Sequence, residues 1–285
     1  MNSQITPGHD AEFSGEPVIK VNDLVLDIGQ KRILDGVSFA AEAGKVTGLI
    51  GPNGAGKSSL LAAICGDVEL TSGTIRICGY DPENSKPAEL ARQRAVMLQD
   101  VSVSFEFLVR DVVAMGRRPW KDSERSIDDE KIIDAALDAT ETHHLAGRDI
   151  VTLSGGERAR VALARVLAQD TVVIMLDEPT AALDIKHQER VLGLVRVLAQ
   201  VAGKAVLMVL HDLNAAAAYC DHIVCLANGS VAAQGSVQQV YTSETLSEVY
   251  GWPISVSTSD GLVTVHPARQ QVSEGSAALI SLLDR

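Results

Sequence analysis

The sequence predicts an α/β fold with a mainly parallel sheet, and three stretches carry that expectation. An apolar run, Val46 to Ile50, leads into Gly51-Pro52-Asn53-Gly54-Ala55-Gly56-Lys57-Ser58, and residues 59–65, largely apolar, lead out. That order is strand, glycine-rich turn, helix. Residues 171–176 and 205–210 are near-continuous apolar runs, which suit parallel strands buried on both faces. Residues 187–201, between them, repeat their apolar positions at helical spacing. Strand, helix and strand in succession imply a doubly wound parallel sheet.

Taken in order, the chain opens with residues 1–16, rich in Pro, Gly, Ser and charge without periodicity, which are expected as a mobile tail. Residues 18–40 alternate short apolar runs with polar residues, as antiparallel strands do. Residues 73–79 alternate as well and are expected as a strand ending in a turn, followed by a loop over 81–87 with two prolines. The character then changes. Helices are expected over 88–95, 108–117 and 127–139, the last with acidic residues early in its course, and then over 158–168. The expected organisation is a tail (1–16), one nucleotide-binding domain (17–252) with a mainly helical insertion at about 88–165, and a C-terminal extension (253–285). The extension is expected as a few short strands and a helix, with no legible task. No internal repeat or low-complexity segment is present.

At 285 residues the chain is long for one domain but within what a single α/β domain reaches. Its 46% of hydrophobic residues can bury a large core, and with aromatics at 4% that core must be mostly Val, Leu, Ile and Ala. A formal charge of -12 argues against general binding of nucleic-acid backbones, yet leaves room for a local nucleotide site. No apolar run is long enough to span a bilayer, and residues 1–17 lack the apolar centre of a secretion signal. The protein is therefore expected in the cytosol. The four cysteines, Cys65, Cys78, Cys220 and Cys225, lie in apolar segments without histidines at zinc spacing. They are expected as buried, reduced thiols.

The glycine-rich stretch fits G-x-x-x-x-G-K-[ST], a phosphate-binding loop. Its glycines let backbone N–H groups curl round phosphate oxygens, and the following helix aims its positive end at the same anion. Lys57 is placed to reach the β- and γ-phosphates of a nucleotide, and the Ser58 hydroxyl to ligate Mg²⁺. Asp177 closes the apolar run 172–176, at the carboxyl edge where open α/β sheets bind ligands. An Asp so placed holds Mg²⁺. Glu178 follows, where a carboxylate takes the proton of an attacking water, help worth about 10²–10⁴ in rate.

Leu153-Ser154-Gly155-Gly156-Glu157 opens the helix at 158–168. Ser154 caps it and Glu157 completes a capping box. Capping explains the Ser and the Glu but not the two glycines. These bare backbone N–H groups at the positive end of a helix, a second anion site. His211 follows the run 206–210 and precedes Asp212-Leu213, a place that favours chemistry over packing. His143, His144, His187 and His222 have no such support and are expected as surface or packing residues.

In this order the phosphate loop, Gln99, Leu153–Glu157, Val172 to Pro179, Ala182-Leu183-Asp184 and His211 resemble the ATP-binding subunit of an ABC transporter, over residues 18–250. The resemblance implies a P-loop NTPase core with an antiparallel β subdomain and a helical subdomain bearing the LSGGE signature. It implies ATP and Mg²⁺ as cofactors. It also implies a homodimer in which the loop of one copy (Gly51 to Ser58, with Ser59) and the signature of the other sandwich each ATP. Ser154 and Gly156, with Gly155, then act on the γ-phosphate in trans. Gln99 touches Mg²⁺ or the attacking water and senses the membrane partner. The loop ending in Asp184 crosses the dimer seam, and His211 holds the γ-phosphate and the water.

Two positions depart from the family pattern. Ile28 stands where an aromatic usually stacks on adenine, so adenine discrimination is expected to be weak. Ser59 follows Ser58 where Thr is usual, a change that keeps the hydroxyl.

Ala95 to Gln99, Val103 to Val109 and Val113 to Pro119 are similar to the importer branch for iron chelates, haem and cobalamin. So are Asp184 to Gln188 and Thr242 to Gly251, with the haem importers nearest. The branch implies two transmembrane permease subunits, an extracytoplasmic solute-binding protein met only indirectly, no nucleic acid, and a peripheral place on the cytoplasmic face of the inner membrane. Residues 105–120, with aromatics that look exposed beside Arg117 and Arg118, are the expected groove for a permease helix. Other classes fit less well. A translation ATPase carries two cassettes, a DNA-repair ATPase needs a long coiled coil between loop and signature, and GTPases and kinases lack LSGGE.

Overall fold

The computed structural model describes residues 17–98, 106–269 and 283. Strands β1 (Pro17–Ile28) and β2 (Lys31–Glu42) form an antiparallel pair joined through Gly29 and Gln30. Strand β3 (Val46–Ile50), buried at every residue, leads through the phosphate loop into α1 (Lys57–Cys65). Strand β4 (Ser72–Ile77) returns to the other edge of β1, giving the sheet order β2-β1-β4.

Helix α2 (Pro87–Gln93) runs directly into β5 (Arg94–Met97). The helix expected over 88–95 thus ends early. The Gln169 side-chain amide donates to the carbonyls of Ala91 (2.6 Å) and Arg94 (2.9 Å), fixing the exit from the helix. Ala95 and Met97 then turn into the core at strand spacing. Helix α3 (Val109–Ala114) tightens into a 3₁₀ stretch, Met115–Trp120, which divides the helix expected over 108–117. Pro119 has no N–H to continue an α-helical ladder. The Trp120 indole instead donates to the Gln169 carbonyl at 2.6 Å.

A second 3₁₀ stretch, Glu124–Asp128, precedes α4 (Asp129–Ala139), so the helix expected from 127 starts slightly later. Then come α5 (Gly155–Ala168), β6 (Val173–Asp177), α6 (Ile185–Gln200), β7 (Ala205–Val209) and α7 (Leu213–Tyr219). Strands β8 (His222–Ala227) and β9 (Ser230–Gly235), short helices α8 (Val237–Val240) and α9 (Ser243–Tyr250), and a hairpin of β10 (Ile254–Ser259) and β11 (Leu262–Pro267) complete the described chain. Of the helix expected in the C-terminal extension only residue 283, which is helical, is described, and residues 1–16 lie outside the described residues.

The main sheet has the order β5-β6-β7-β3-β8-β9, parallel throughout except for the β8–β9 pair. Its apolar runs do not alternate with polar residues because each face has a cover. Val46, Ile174, Leu176, Val206, Met208 and Ile223 point to one face, against residues of α5, α6, α7 and α9. Leu49, Met175, Leu207 and Val224 point to the other, against α1 and the antiparallel sheet. The second face is therefore covered largely by strands, where a doubly wound pattern expects helices. The short apolar alternation in residues 18–40 is what builds that cover.

Helices α3, α4 and α5 pack into a separate lobe through Val109, Val113, Ile133, Leu137 and Val161. Helix α5 serves both: Leu163 and Val166 face the main core, Val161 and Ala164 the lobe. The signature at its start is thus held rigidly to the sheet. Two residues expected to look outward are buried. Arg117 pairs with Asp129 at 2.7 Å and donates to the carbonyls of Ala168 and Arg125, both at 2.9 Å. Trp120 lies under the Arg125 guanidinium, 4.1 Å from the ring centre. Their polar atoms find partners inside, so burial is tolerated. Phe107 and Arg118 do face outward, and Phe105 lies outside the described residues.

Candidate active site

The phosphate loop takes its shape from its own glycines. Gly51 has φ +144°, and a Cβ there would lie 2.2 Å from the Leu226 carbonyl oxygen, so only glycine fits. The Ala55 N–H donates back to the Pro52 carbonyl at 3.2 Å, closing the loop. Gly56 is the N-cap of α1, and no side chain caps the helix. The N–H groups of its first turn, at Lys57, Ser58 and Ser59, are thereby left for an anion. Asn53, Gly54 and Ser58 are exposed, whereas Ala55 and Lys57 are buried.

Lys57 folds back over the loop, its ammonium donating to the carbonyls of Gly51 (2.7 Å) and Pro52 (3.0 Å). Burial pulls its pKa down, while the nearby carboxylates of Glu178 and Asp177 push it back up. Asp177, at the end of β6, is 5% exposed. Burial raises its carboxyl above the usual range and the neighbouring Glu178 adds to this. His211, Lys57 and a hydrogen bond from Ser58 oppose it. Its Oδ1 is buried with no hydrogen-bond partner. A buried, unpaired carboxylate oxygen is costly by itself, and a bound cation relieves that cost.

Glu178 has φ +51°, a left-handed conformation that costs a non-glycine residue roughly 1–3 kcal/mol. Its N–H donates to the Val209 carbonyl at 3.2 Å, tying the end of β6 to the end of β7. That tie delivers the Glu178 carboxylate to His211, which follows β7, and the two side chains bond through Oε1 and Nε2. Lys57, Ser58, Asp177, Glu178 and His211 lie together at one edge of the sheet. Gln99 lies outside the described residues.

The signature starts α5. Ser154 is its N-cap, and the capping box is closed on both sides: Ser154 Oγ accepts from the Glu157 N–H at 3.3 Å, and the Glu157 carboxylate accepts from the Ser154 N–H at 2.7 Å. The Ser154 N–H foremost, and then the Ser154 hydroxyl, which donates to the same carboxylate at 2.8 Å, hold the Glu157 carboxyl below its ordinary value. Gly155 and Gly156 occupy the first turn. A Cβ on Gly156 would lie 3.1 Å from the Ala182 carbonyl oxygen, so the signature abuts the 181–184 loop of the same chain. Asp184 caps α6, accepting from the His187 N–H (2.9 Å) and bonding its Nδ1 (2.7 Å). His187 thus steadies the loop that sequence left it outside.

Ile28 is 55% exposed at the tip of the β1–β2 hairpin. Cys65, Cys220 and Cys225 are buried, and burial pushes their thiols up to about 11, about 12 and about 11. They stay protonated and unreactive. Among the described residues no group of three His, Cys, Asp or Glu is placed to hold a metal ion. A Mg²⁺ bound at Ser58 and Asp177 would draw further ligands from phosphate and water, as that ion commonly does. Features not legible beforehand include the hydrogen bond of the Tyr241 hydroxyl to the Leu213 carbonyl and the link from Asn214 to the C-terminal hairpin.

The profile of the ABC transporter family matches residues 34–181. The Hemin import ATP-binding protein HmuV of Nocardia farcinica is 47% identical over 264 residues, covering 90% of this chain and 91% of that one. The Cobalamin import ATP-binding protein BtuD of Halobacterium salinarum is 42% identical over 257 residues, 90% of this chain and 65% of that one. Among solved structures, a metal-chelate type ABC transporter in an inward-facing conformation superposes with TM-score 0.76 at 27% identity, covering 90% of this chain and 99% of that one. A dimeric bacterial ABC transporter cassette superposes with TM-score 0.70 at 26% identity over 77% of this chain and 98% of that one. Sequence, fold and site agree: the chain belongs to the ABC transporter family, as an ATP-binding subunit whose activity is the hydrolysis of ATP.

Proposed function

We propose that the chain powers the import of haem, as one of a pair of ATPase subunits set against two transmembrane permease subunits on the cytoplasmic face of the inner membrane. The observation that carries the catalytic part is the convergence of Lys57, Asp177, Glu178 and His211 at one sheet edge. ATP lays its phosphates on the loop 51–58, where Lys57 exchanges its bonds to Gly51 and Pro52 for phosphate oxygens. Ser58 and Asp177, with Gln99, would hold Mg²⁺, which would supply positive charge to neutralise the phosphates. The unpaired Asp177 Oδ1 supports this assignment. Glu178 takes the proton of the attacking water, and His211 holds the water and the γ-phosphate. Ile28 packs against adenine without stacking.

The second half of each site comes from a second copy. Ser154 and Gly155 are exposed at the positive end of α5, with Gly156 half-buried beside them. Ser154→Arg is expected to leave ATP binding by a single chain intact and to block pairing, because a bulky cation then occupies the place of the partner's γ-phosphate. In a hydrolysis-deficient background, size-exclusion chromatography with ATP should show only monomer; a stable dimer would count against the trans site. Docking of the permease is assigned to the outward side of 106–120. A cavity of about 560 Å³ lies beside it, with Arg94, Met115, Arg118 and Arg165 in its wall.

Haem as cargo is supported by the likeness at residues 105–119, 184–188 and 242–251, and by hemin import ATP-binding proteins at 45–48% identity. A cobalamin importer at 42% keeps cobalamin as the second reading, with iron–siderophore complexes as another alternative. Haem itself meets the permease and an extracytoplasmic binding protein, not this subunit. A strain lacking the gene, given haem as sole iron source, is expected not to grow. Growth should return with the intact gene and not with Glu178→Gln. Normal haem uptake together with a defect on another chelate would overturn the haem assignment and leave the ATPase untouched.

A further inference from the structure

We infer that Asn214, clamped to the C-terminal hairpin, is a positioning residue for His211; the inference rests on the assignment of His211 to the γ-phosphate and the water. His211 stands two residues past the end of β7 and immediately before Asp212, the N-cap of α7. Upstream it is fixed, since the Leu210 N–H donates to the Leu49 carbonyl at 3.2 Å. Downstream it depends on α7. That helix has seven residues, too few to hold its own geometry in water. Something outside α7 must fix it.

Two contacts do so. Tyr241 Oη donates to the Leu213 carbonyl at 2.9 Å. The Asn214 side-chain amide meets the backbone of Val265 twice, accepting from its N–H at 2.7 Å and donating to its C=O at 3.3 Å. The amide thereby takes the place of a neighbouring strand along the edge of β11 that faces away from β10. The same residue offers its own N–H to Asp212 Oδ1 at 2.8 Å, joined by the Ala215 N–H at 3.1 Å. A continuous line of bonds runs from Val265 through Asn214 and Asp212 to the backbone of His211, and on to Glu178.

The hairpin is a firm post for this line. Ile254 and Val265 are 7% and 4% exposed and belong to the same core as Ala216 and Tyr241. The Ile254 N–H donates to Ser247 Oγ at 2.9 Å, and the Trp252 indole to the Ala268 carbonyl at 2.8 Å. The extension therefore has a catalytic consequence without touching nucleotide. It sets where the imidazole stands relative to Glu178.

The test is Asn214→Ala in the full-length chain. Asn214 is exposed and Ala is the better helix former, so the substitution removes the clamp without unwinding α7. The expected result is a kcat lower by about tenfold at unchanged KM for ATP, within the 10²-fold that a 1 Å misplacement can cost. The NMR resonance of the His211 ring, identified by its loss in His211→Ala, should move, while those of His143 and His144 in the helical lobe should not. Asn214→Asp, which keeps the acceptor for the Val265 N–H, should lose less. A parental kcat overturns the inference, and so does a lowered kcat with an unmoved His211 resonance. A parental rate in His211→Ala overturns instead the assignment of His211, and the inference with it.

Discussion

Glu178→Gln is expected to bind ATP like the parent chain and to lose turnover by about 10²–10⁴-fold. The carboxylate stands directly after Asp177 on a left-handed backbone, bonded to His211. An amide keeps its size but cannot accept a proton from water. The substitution also removes a negative charge that raises the Asp177 carboxyl, so Asp177 ionises more readily and cation binding should not suffer. Single-turnover hydrolysis with excess chain over ATP isolates the chemical step. A rate close to the parent's would rule out Glu178 as the base.

Lys57→Ala should fail earlier, at binding. Lys57 is 6% exposed and its ammonium is held by two loop carbonyls, a donor already aimed into the site. Hydrogen bonds to charged groups contribute about 1.5–3 kcal/mol, so losing this cation from bound phosphates should cost about 2–3 kcal/mol. The dissociation constant then rises about 30- to 150-fold. The substitution also removes a compensating positive charge from beside Asp177 and Glu178, which compounds the repulsion felt by an incoming triphosphate. Titration calorimetry gives the constant directly, and an unchanged value would contradict the role assigned to Lys57.

The site was legible in sequence where local chemistry dictates local structure. A turn that tolerates only glycine at Gly51, an apolar strand closed by Asp177, and a capping box at Ser154 and Glu157 each announce themselves within a few residues. What sequence left dark depends on contacts between distant segments. Nothing near Arg94 shows that Gln169 will end α2 and begin a strand there. Nothing in 105–120 shows that Arg117 and Trp120 turn inward, because their partners lie at Asp129, Ala168 and Gln169. His187 and Asn214 acquire tasks only once Asp184 and Val265 are beside them. The continuous apolar runs correctly implied a sheet covered on both faces, but they carry no mark of what the cover is. One face met helices and the other a second sheet.

The central claim is that ATP is hydrolysed between two copies of this chain, loop against signature. Light scattering of Glu178→Gln with and without Mg-ATP tests it most directly, since slow turnover preserves the closed state. The account predicts the mass of one chain without nucleotide and twice that mass with it, reverting when Ser154→Arg is added. A single-chain mass at ATP concentrations where calorimetry shows the site filled would contradict it.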